Sequence, residues 1–493
     1  MRPSRIVLLL VLVPLAAGCA INPVSGRPQF VLVSERGEQK MGDEQAKQVE
    51  QEMGFVDDAA LSAYVEAIGQ RLAVHSPRQD VRYQFHIVDA PEPNAFALPG
   101  GYVYVTRGLL VLVNSEDELA GVIGHEIGHV AARHSVQQIT RTAPFAVVTN
   151  LSAAVTGLAS PLLGQVVGGV GGLASGLVLA PFSRDQEREA DRVGQQLAAA
   201  AGWDPGALAN ILGTMEREQG LQGNTPRGMS FLASHPTTPE RVANTTEYAK
   251  ALQRAPSDPI CPTRAALLAR LDGLVVGQGA AAGVIIGQTF LHPDLDFFIR
   301  FPPGWTVQNG RNQVGAVSPD HDALVLLEAV GKGDDPVAGA RALERASGSP
   351  VVQNTKPATI GGLKAARTRA HSRTESGEVA LEFTWIAYAG RIYEILGVTP
   401  VQRSETFRPV YDDTVQTFRS LQPAERASIR EDRLRIFAAR QDETLSALVK
   451  RAKGSWNVAM TAVVNDLSVD TPLQPESIKI AVAEPYASPR SGE

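Results

Sequence analysis

Apolar residues recur every three or four positions through much of the first half of the chain, a spacing that predicts amphipathic helices. One helix is predicted from Asp58 to His75, and its apolar positions share one face: Leu61, Tyr64, Val65, Ile68 and Leu72. Further helices are predicted from Ser115 through Val130, over 183–201, and from Pro205 to about Glu218. Two of them begin with capping-box sequences, Ser115-Glu116-Asp117-Glu118 and Ser183-Arg184-Asp185-Gln186. The pattern therefore predicts a mainly α-helical domain.

A different pattern interrupts these helices between residues 83 and 108. The stretch "YQFHIVDAPEPNAFALPGGYVYVTRG" alternates β-prone residues with Pro-Glu-Pro and Pro-Gly-Gly turns, which predicts a small β meander. An exposed strand edge of this kind binds extended peptides by backbone pairing. Asn94 and Ala95 are therefore candidates for a substrate-binding edge strand, with a plain hairpin as the equal alternative.

The chain changes character again after about residue 285. Strand-like runs such as "FFIRFPPGWTV" and "ALEFTWIAYAGRIYEILGVT" alternate with the helix-like segments "DPVAGARALERAS" and "TFRPVYDDTVQTFRSL". This predicts a separate α+β module over 285–421, after a proline-rich linker at 256–284. The order strand, helix, helix, strand is predicted for a small C-terminal α+β module over 432–493.

No charged residue lies between Arg141 and Arg184. A membrane span is one interpretation, but Pro161 and the pairs Gly168-Gly169 and Gly171-Gly172 interrupt the stretch. The favoured interpretation is an apolar cover packed near a functional site.

The N-terminus has the organisation of a secretory signal. Two arginines precede the apolar run Ile6–Leu15, and small residues lead to Cys19. The ending Leu15-Ala16-Ala17-Gly18-Cys19 resembles the bacterial lipobox, which implies a signal peptide over 1–18 and a lipid anchor on Cys19. An ordinary signal peptide with a chance cysteine is the alternative. Cys261 is the only other cysteine, so a lipidated chain has no intramolecular disulfide.

Composition excludes little except polyanion binding. The 493 residues carry a formal net charge of −6, which gives no bulk attraction for nucleic acid. The length predicts two to four folded units.

The sequence "GVIGHEIGHV", residues 121–130, carries the clearest candidate chemistry. His125 and His129 are four positions apart on the predicted helix, so their rings project from one face and are able to bind one Zn²⁺. Glu126 lies beside them as a candidate general base. The structural alternative is a pair of core histidines.

A hydrolytic zinc site needs a third protein ligand. In "SRDQEREADRVG", Glu187 and Asp191 are again four positions apart, and Glu187 is the candidate ligand. Asp191 is then placed to accept a hydrogen bond from a ligand imidazole. Taken alone, this segment also fits a solvated charged helix face.

Four motifs in order carry a family resemblance: "NAFALPGGYVYVTRGLL", "ELAGVIGHEIGHVAARH", "SRDQEREADRVG" and "SHPTTPERV". They resemble the zinc metallopeptidase family that includes HtpX, the CAAX prenyl proteases, and the periplasmic BepA and LoiP proteins. The resemblance covers roughly residues 20–255 and implies a mainly helical gluzincin domain over 19–255. It implies one Zn²⁺ per chain bound by His125, His129 and Glu187.

The resemblance also implies roles for other residues. Glu126 is implied as the catalytic base and Asp191 as support for a ligand. His235, in "SHPTT", is implied to lie near the metal, where it either stabilises the oxyanion or occupies the water position as a fourth ligand. His134 is expected to have no such partners and to be structural.

The two C-terminal modules have weaker resemblances. The 285–421 module resembles the PsbP and Mog1-like sandwiches, and 432–493 resembles a degenerate LysM module. The first module contains no recognisable catalytic constellation, which favours a binding or spacer role. The LysM resemblance implies peptidoglycan contact for the second.

The resulting hypothesis is a zinc metalloendopeptidase held by lipidated Cys19 in the bacterial envelope, facing the periplasm. Ala20, and not an aspartate, follows the anchor; resemblance to enteric lipoproteins implies that this favours the outer membrane. The resemblance implies misfolded or unassembled envelope proteins as substrates. The alternative is a chaperone or assembly factor for outer-membrane proteins whose protease activity is latent or rarely used.

Overall fold

The structure, a computed structural model, describes residues 19–140, 181–223, 230–236, 238–347, 354–374 and 377–487. Within these ranges the chain forms two compact units, one from residues 19–277 and 432–483 and the other from residues 278–431 and 484–487. The predicted signal peptide and nearly all of the uncharged stretch lie outside the described residues. None of the helices in the described ranges has the length and apolar character that crossing a bilayer requires.

The first part of the first unit is mainly helical, as predicted. Its helices are α1 (Glu35–Glu52), α2 (Ala59–Ala73), α3 (Arg107–Leu112), α4 (Glu116–Ala131), α5 (Arg184–Ala200), α6 (Ala207–Leu221), α7 (Phe231–Ser234), α8 (Pro239–Ala249) and α9 (Arg264–Leu271). Residues 134–140 are also helical. Asp58 begins α2 by accepting a hydrogen bond from the Leu61 backbone N–H, and the predicted apolar face of α2 is buried.

Helix α4 runs through the core of this unit. Ser115 caps its start by accepting a hydrogen bond from the Glu118 backbone N–H. The predicted reciprocal bond to Ser115 is not the one that forms, because the Glu118 carboxylate accepts from the Asn114 backbone N–H at 2.6 Å. Every residue of α4 except Asp117 is buried. The helix that carries both candidate histidines is thus fixed on all sides.

Glycines allow α4 and α5 to pack backbone against backbone. A Cβ on Gly194 of α5 would lie 2.6 Å from the His125 backbone nitrogen, and one on Gly124 would lie 2.9 Å from the Gly194 carbonyl oxygen. A Cβ on Gly128 would lie 2.9 Å from the Ala190 carbonyl oxygen. Real side chains do not fit at these separations. The close approach therefore depends on glycine at all three positions.

The strands of the first part are β1 (Cys19–Ile21), β2 (Pro28–Phe30), β3 (Gln84–Val88), β4 (Ala95–Leu98), β5 (Tyr102–Thr106) and β6 (Val275–Val276). Strands β1 and β2 pair antiparallel. The predicted meander is wrong in one respect, because β5 lies between the other two strands in the order β3-β5-β4 and runs parallel to β3. Strand β4 pairs antiparallel with β5 and occupies the edge, as expected for a substrate strand.

The second unit is rich in sheet. Its strands are β7 (Val284–Ile286), β8 (Thr289–His292), β9 (Phe297–Arg300), β10 (Thr306–Asn309), β11 (Gln313–Val317), β12 (Leu324–Lys332), β13 (Lys356–Ile360), β14 (Leu363–Thr374), β15 (Gly377–Tyr388) and β16 (Arg391–Pro400). Strands β7, β8 and β9 form one sheet, and the others form an antiparallel sheet in the order β10-β11-β12-β16-β15-β14-β13. Its helices are α10 (Val337–Ser347), α11 (Ser404–Gln416) and α12 (Pro423–Ser428). This agrees with the predicted α+β character.

The C-terminal segment contains β17 (Arg430–Ala438), α13 (Leu445–Ala452), α14 (Val458–Val464) and β18 (Ser477–Pro485), in the predicted element order. Its sheet, β18-β17-β6, includes a strand from the first part of the first unit. The buried Lys479 ammonium donates to the carbonyl oxygens of Val111, Leu112 and Val113 at 2.9, 3.1 and 2.9 Å, at the C-terminal end of α3. These contacts join 432–483 to the helical core. The LysM-like character and the predicted domain boundaries stay predictions.

The glycine contacts predict the effect of one added methyl group. We expect Gly194→Ala to destabilise the chain by about 1–3 kcal/mol, because its Cβ overlaps the α4 backbone and the core has no room to relax. Gly213→Ala on α6 is the matched control, because nothing lies within 4 Å of its Cβ and alanine favours the helix. Thermal unfolding of both variants tests this, and equal melting temperatures for Gly194→Ala and the wild type would contradict it.

Candidate metal centre

His125 and His129 face the same point from α4. Their Nε2 atoms lie 3.0 Å apart, and both side chains are buried. The spacing of four residues along the helix produces this arrangement, as predicted. The pair is not a packed apolar contact, because two ring nitrogens are directed at each other inside the core.

Glu187 and His235 complete the cluster from two other elements. Glu187 lies in the first turn of α5, and its Oε1 atom is 3.4 Å from His129 Nε2 and 2.9 Å from His235 Nδ1. His235 follows α7, and its Nδ1 atom is 3.2 Å from His125 Nε2. One ligand atom from each of the four residues lies within 4.8 Å of the others. The structure thus brings together the three predicted ligands and His235.

The donor set fits zinc. Imidazole nitrogens and a carboxylate oxygen, converging on one point, are typical ligands of Zn²⁺ in proteins. Glu126, which follows His125, is fully buried, and neither of its carboxylate oxygens has a hydrogen-bond partner among the residues that the structure describes. An unpartnered buried carboxylate is costly unless a cation or a bound water lies beside it. The cluster therefore supports zinc as the cofactor, and the ligand role of each residue stays a prediction.

Burial and charge set the protonation of the cluster. Burial raises the pKa of Glu126. Burial also raises the pKa of Glu187, but His235 and His129 outweigh it and hold that pKa well below its ordinary value. Burial lowers the pKa of His129 well below its ordinary value. Glu187 is thus charged and His129 neutral at neutral pH, the forms in which both bind metal.

Asp191 and Arg241 lie directly behind the ligands. Asp191 Oδ1 is 2.9 Å from His125 Nδ1, the contact predicted for this residue. The Arg241 guanidinium donates to both Asp191 oxygens at 2.7 and 2.8 Å, and its Nη1 lies 2.7 Å from Glu187 Oε2. Arg241 was not among the predicted site residues, although it lies in the motif "SHPTTPERV". An arginine in a charged helix gives no sign of being buried.

Two aromatic rings enclose the histidines. The Phe231 ring stacks on His235 with centroids 4.3 Å apart, and the Phe182 ring lies 4.1 Å from the His129 ring. The Phe182 backbone N–H also donates to the Ser234 carbonyl oxygen. These rings were not predicted, because their positions depend on the tertiary fold.

The predicted substrate-edge residues lie at the start of β4. The Asn94 backbone N–H donates to Thr106 Oγ1, and its carbonyl oxygen accepts from the Thr106 backbone N–H. The Asn94 backbone is therefore engaged within the sheet. Because antiparallel ladders alternate, the backbone groups of Ala95 point toward the outer edge. Substrate pairing stays a prediction, and Ala95 is the better of the two residues for it.

Comparison with known proteins shows which family part of the chain resembles. Residues 59–249 match the model of Peptidase family M48. Mitochondrial metalloendopeptidase OMA1 of Schizosaccharomyces pombe is 33% identical over 229 residues, covering 46% of this chain and 65% of that protein. The beta-barrel assembly-enhancing protease of Escherichia coli (strain K12) is 29% identical over 221 residues, covering 44% of each. The chain thus covers less than two thirds of the length of the first relative and less than half of the length of the second. The predicted family resemblance is confirmed.

Among solved structures, cyanobacterial PsbP from Synechocystis is 12% identical with a TM-score of 0.23, covering 29% of this chain and 98% of that chain. A score this low does not establish a shared fold. The PsbP-like and Mog1-like architecture of the second unit stays a prediction.

Arg241 is predicted to hold the apo site together. Arg241→Met leaves Glu187 and Asp191 as buried carboxylates without their cation, which we expect to cost about 3–5 kcal/mol. Arg188→Met is the control, because Arg188 pairs with Asp185 and Glu240 on the surface. Urea unfolding of the zinc-free proteins measures the difference. Equal stability of the two variants would contradict the role assigned to Arg241.

Proposed function

We propose that this chain, which carries a Peptidase family M48 domain over residues 59–249, is a zinc-dependent endopeptidase that binds one zinc ion. The observation that carries the proposal is the buried Glu126 carboxylate, which accepts no hydrogen bond within the described residues and lies beside the cluster of His125, His129, Glu187 and His235. A purely structural metal site has no use for a buried carboxylate that neither binds the metal nor makes a hydrogen bond. A hydrolytic site needs one as a base.

The residues of the site have separate roles as metal ligands, as the general base and as supports for the ligands. His125, His129 and Glu187 hold the ion, which when bound lowers the pKa of water and polarises a carbonyl group. Glu126 takes a proton at its carboxylate and passes it to the nitrogen of the leaving amine. Its surroundings favour this task, because burial raises its pKa and so makes it a stronger base than an exposed glutamate. Asp191 and Arg241 fix the orientation of His125 and Glu187.

His235 decides whether such a site is open. Its Nδ1 atom lies within the ligand cluster, while its Nε2 atom is 3.6 Å from Glu126 Oε1. Four protein ligands make a closed zinc site, whereas catalytic sites keep one position for water. The position of Nδ1 supports His235 as a fourth ligand that holds the enzyme latent. Stabilisation of the oxyanion remains the competing role.

Anchoring and substrates belong to the same proposal. The lipobox-like sequence supports a lipid anchor on Cys19 and a place in the bacterial envelope, facing the periplasm. The name of the Escherichia coli relative, a beta-barrel assembly-enhancing protease, supports substrates among misfolded or unassembled envelope proteins. Contact of residues 432–493 with peptidoglycan rests on the LysM-like pattern alone.

The closed four-ligand cluster favours one second candidate function. A chain whose protease is latent would act mainly as a chaperone or assembly factor for outer-membrane proteins. Complementation of a deletion strain by a Glu126→Gln chain would support that function, and failure to complement would support proteolysis.

Removal of the proposed base gives the sharpest kinetic prediction. We expect Glu126→Gln in the full-length protein to lower casein cleavage by about 10²–10⁴-fold, because the amide cannot take up the proton. Zinc content and melting temperature serve as controls for an intact site, since Glu126 is not a proposed ligand. Equal cleavage by the variant and the wild type would contradict the mechanism.

The latency of His235 predicts a gain of activity. We expect His235→Ala to raise casein cleavage several-fold while one zinc remains bound by the other three ligands. His75→Ala, on an exposed histidine, is the control. A loss of cleavage would instead assign His235 to the oxyanion, and unchanged cleavage would remove it from the mechanism.

A further inference from the structure

A second set of hydrogen bonds leads away from the cluster on the far side of His129. His129 Nδ1 lies 3.0 Å from His134 Nδ1, and His134 Nε2 lies 3.0 Å from Glu189 Oε2. The Asn22 side-chain amide donates to the same Glu189 oxygen at 3.0 Å. His134 and Asn22 are buried. His134 was expected to have no partners of this kind, but it contacts the candidate ligand His129.

Metal binding allows only one arrangement of protons along this series of hydrogen bonds, which runs from His129 through His134 to Glu189. If His129 Nε2 binds zinc, its proton is on Nδ1, which must donate to His134 Nδ1. His134 then carries its own proton on Nε2 and donates it to Glu189. The Glu189 carboxylate accepts from both His134 and Asn22. Each of these hydrogen bonds has one donor and one acceptor. The series therefore fixes His129 in the tautomer that binds metal.

The hydrogen bond between His129 and His134 is possible because the helix is interrupted between them. In a continuous α-helix, a residue five positions on points about 140° away, so His134 would not face His129. Helix α4 ends at Ala131, and Arg133 adopts a left-handed backbone with φ of 60°. This turn brings His134 back beneath His129. A left-handed arginine is strained and persists only when its surroundings hold it.

The N-terminal segment supplies that support. Arg133 Nε donates to Glu38 Oε2 at 2.9 Å, and its Nη2 donates to the Val33 carbonyl oxygen at 3.0 Å. The Leu32 backbone N–H donates to Thr140 Oγ1 at 3.2 Å. Asn22 itself is held by a turn, because its Oδ1 accepts from the Val24 and Ser25 backbone N–H groups. Val33 and Glu38 therefore hold the turn at Arg133, Leu32 holds the helix that follows it, and Asn22 holds the end of the series of hydrogen bonds.

We infer that His134, Glu189 and Asn22 are positioning residues that orient the ligand His129, so that the N-terminal segment is part of the metal centre. The inference rests on the proposed zinc site. It also links the proposed anchor to the metal, because Cys19 precedes Asn22 by three residues, about 10 Å of extended chain. A lipid on Cys19 would hold Asn22, and with it the series of hydrogen bonds to His129, next to the membrane surface.

The test is zinc affinity, measured for the full-length protein by competition with a chelator of known affinity. Glu189→Leu removes the acceptor, while Glu189→Gln keeps an oxygen for His134. Asn22→Asp keeps the Oδ1 contacts to Val24 and Ser25 but replaces the donor with a negative charge beside Glu189. Gln29→Ala is the matched control. Gln29 accepts a hydrogen bond from Gln137 on the same 134–140 helix but makes no hydrogen bond to His134, Glu189 or Asn22. Melting temperatures of the zinc-free proteins are measured in parallel.

We expect Glu189→Leu and Asn22→Asp to weaken zinc binding about 10–100-fold, the usual effect of losing such partners. Glu189→Gln should lose less, and Gln29→Ala should bind as the wild type does, with similar zinc-free melting temperatures throughout. If Glu189→Leu fails to fold, Asn22→Asp carries the test. Wild-type zinc affinity in the folded variants, or an equal loss of zinc affinity in Gln29→Ala, would overturn the inference about positioning but not the proposed function. A wild-type chain that binds no zinc would overturn the proposed function as well.

Discussion

The backbones of α4 and α5 pack directly against each other, and this contact sets the geometry of the metal centre. Gly124 and Gly128 on one helix and Ala190 and Gly194 on the other leave no room for larger side chains between them. Only at this separation do the short reach of His125 and His129 from α4 and the carboxylate of Glu187 from α5 meet at one point. The glycines of the motif therefore matter as much to the site as its histidines.

The second consequence of that contact is a concentration of charge where water is excluded. Three carboxylates, those of Glu126, Glu187 and Asp191, are buried together, and Arg241 is the cation that contacts two of them. Arg241 does not satisfy Glu126, whose oxygens have no hydrogen bond within the described ranges. A divalent cation at the cluster would offset this excess of negative charge. The electrostatics and the donor set thus point to the same ligand.

Much of this site was predictable because its key residues are separated by one helical turn. Spacing made His125 and His129 candidate ligands. Glu187 and Asp191 became candidates only in combination with that pair, and placing His235 needed the family resemblance. Residues that depend on tertiary packing were missed. Nothing in the sequence around Arg241 and Lys479 indicates burial, although both side chains are buried. His134 reaches His129 only through the left-handed turn at Arg133, which no periodicity signals. Likewise, alternation predicted the strands β3 to β5 but not that β5 pairs parallel with β3.

One metal ion is proposed to bind between α4, α5 and the residue that follows α7. Crystallography of the purified full-length protein with anomalous data at the zinc edge locates this ion. We expect a single zinc bound by Nε2 of His125, Nε2 of His129, a carboxylate oxygen of Glu187 and Nδ1 of His235. We expect no bond between the ion and Glu126. Zinc at another place in the chain, or an intact cluster without metal, would show that the proposed metal centre is wrong.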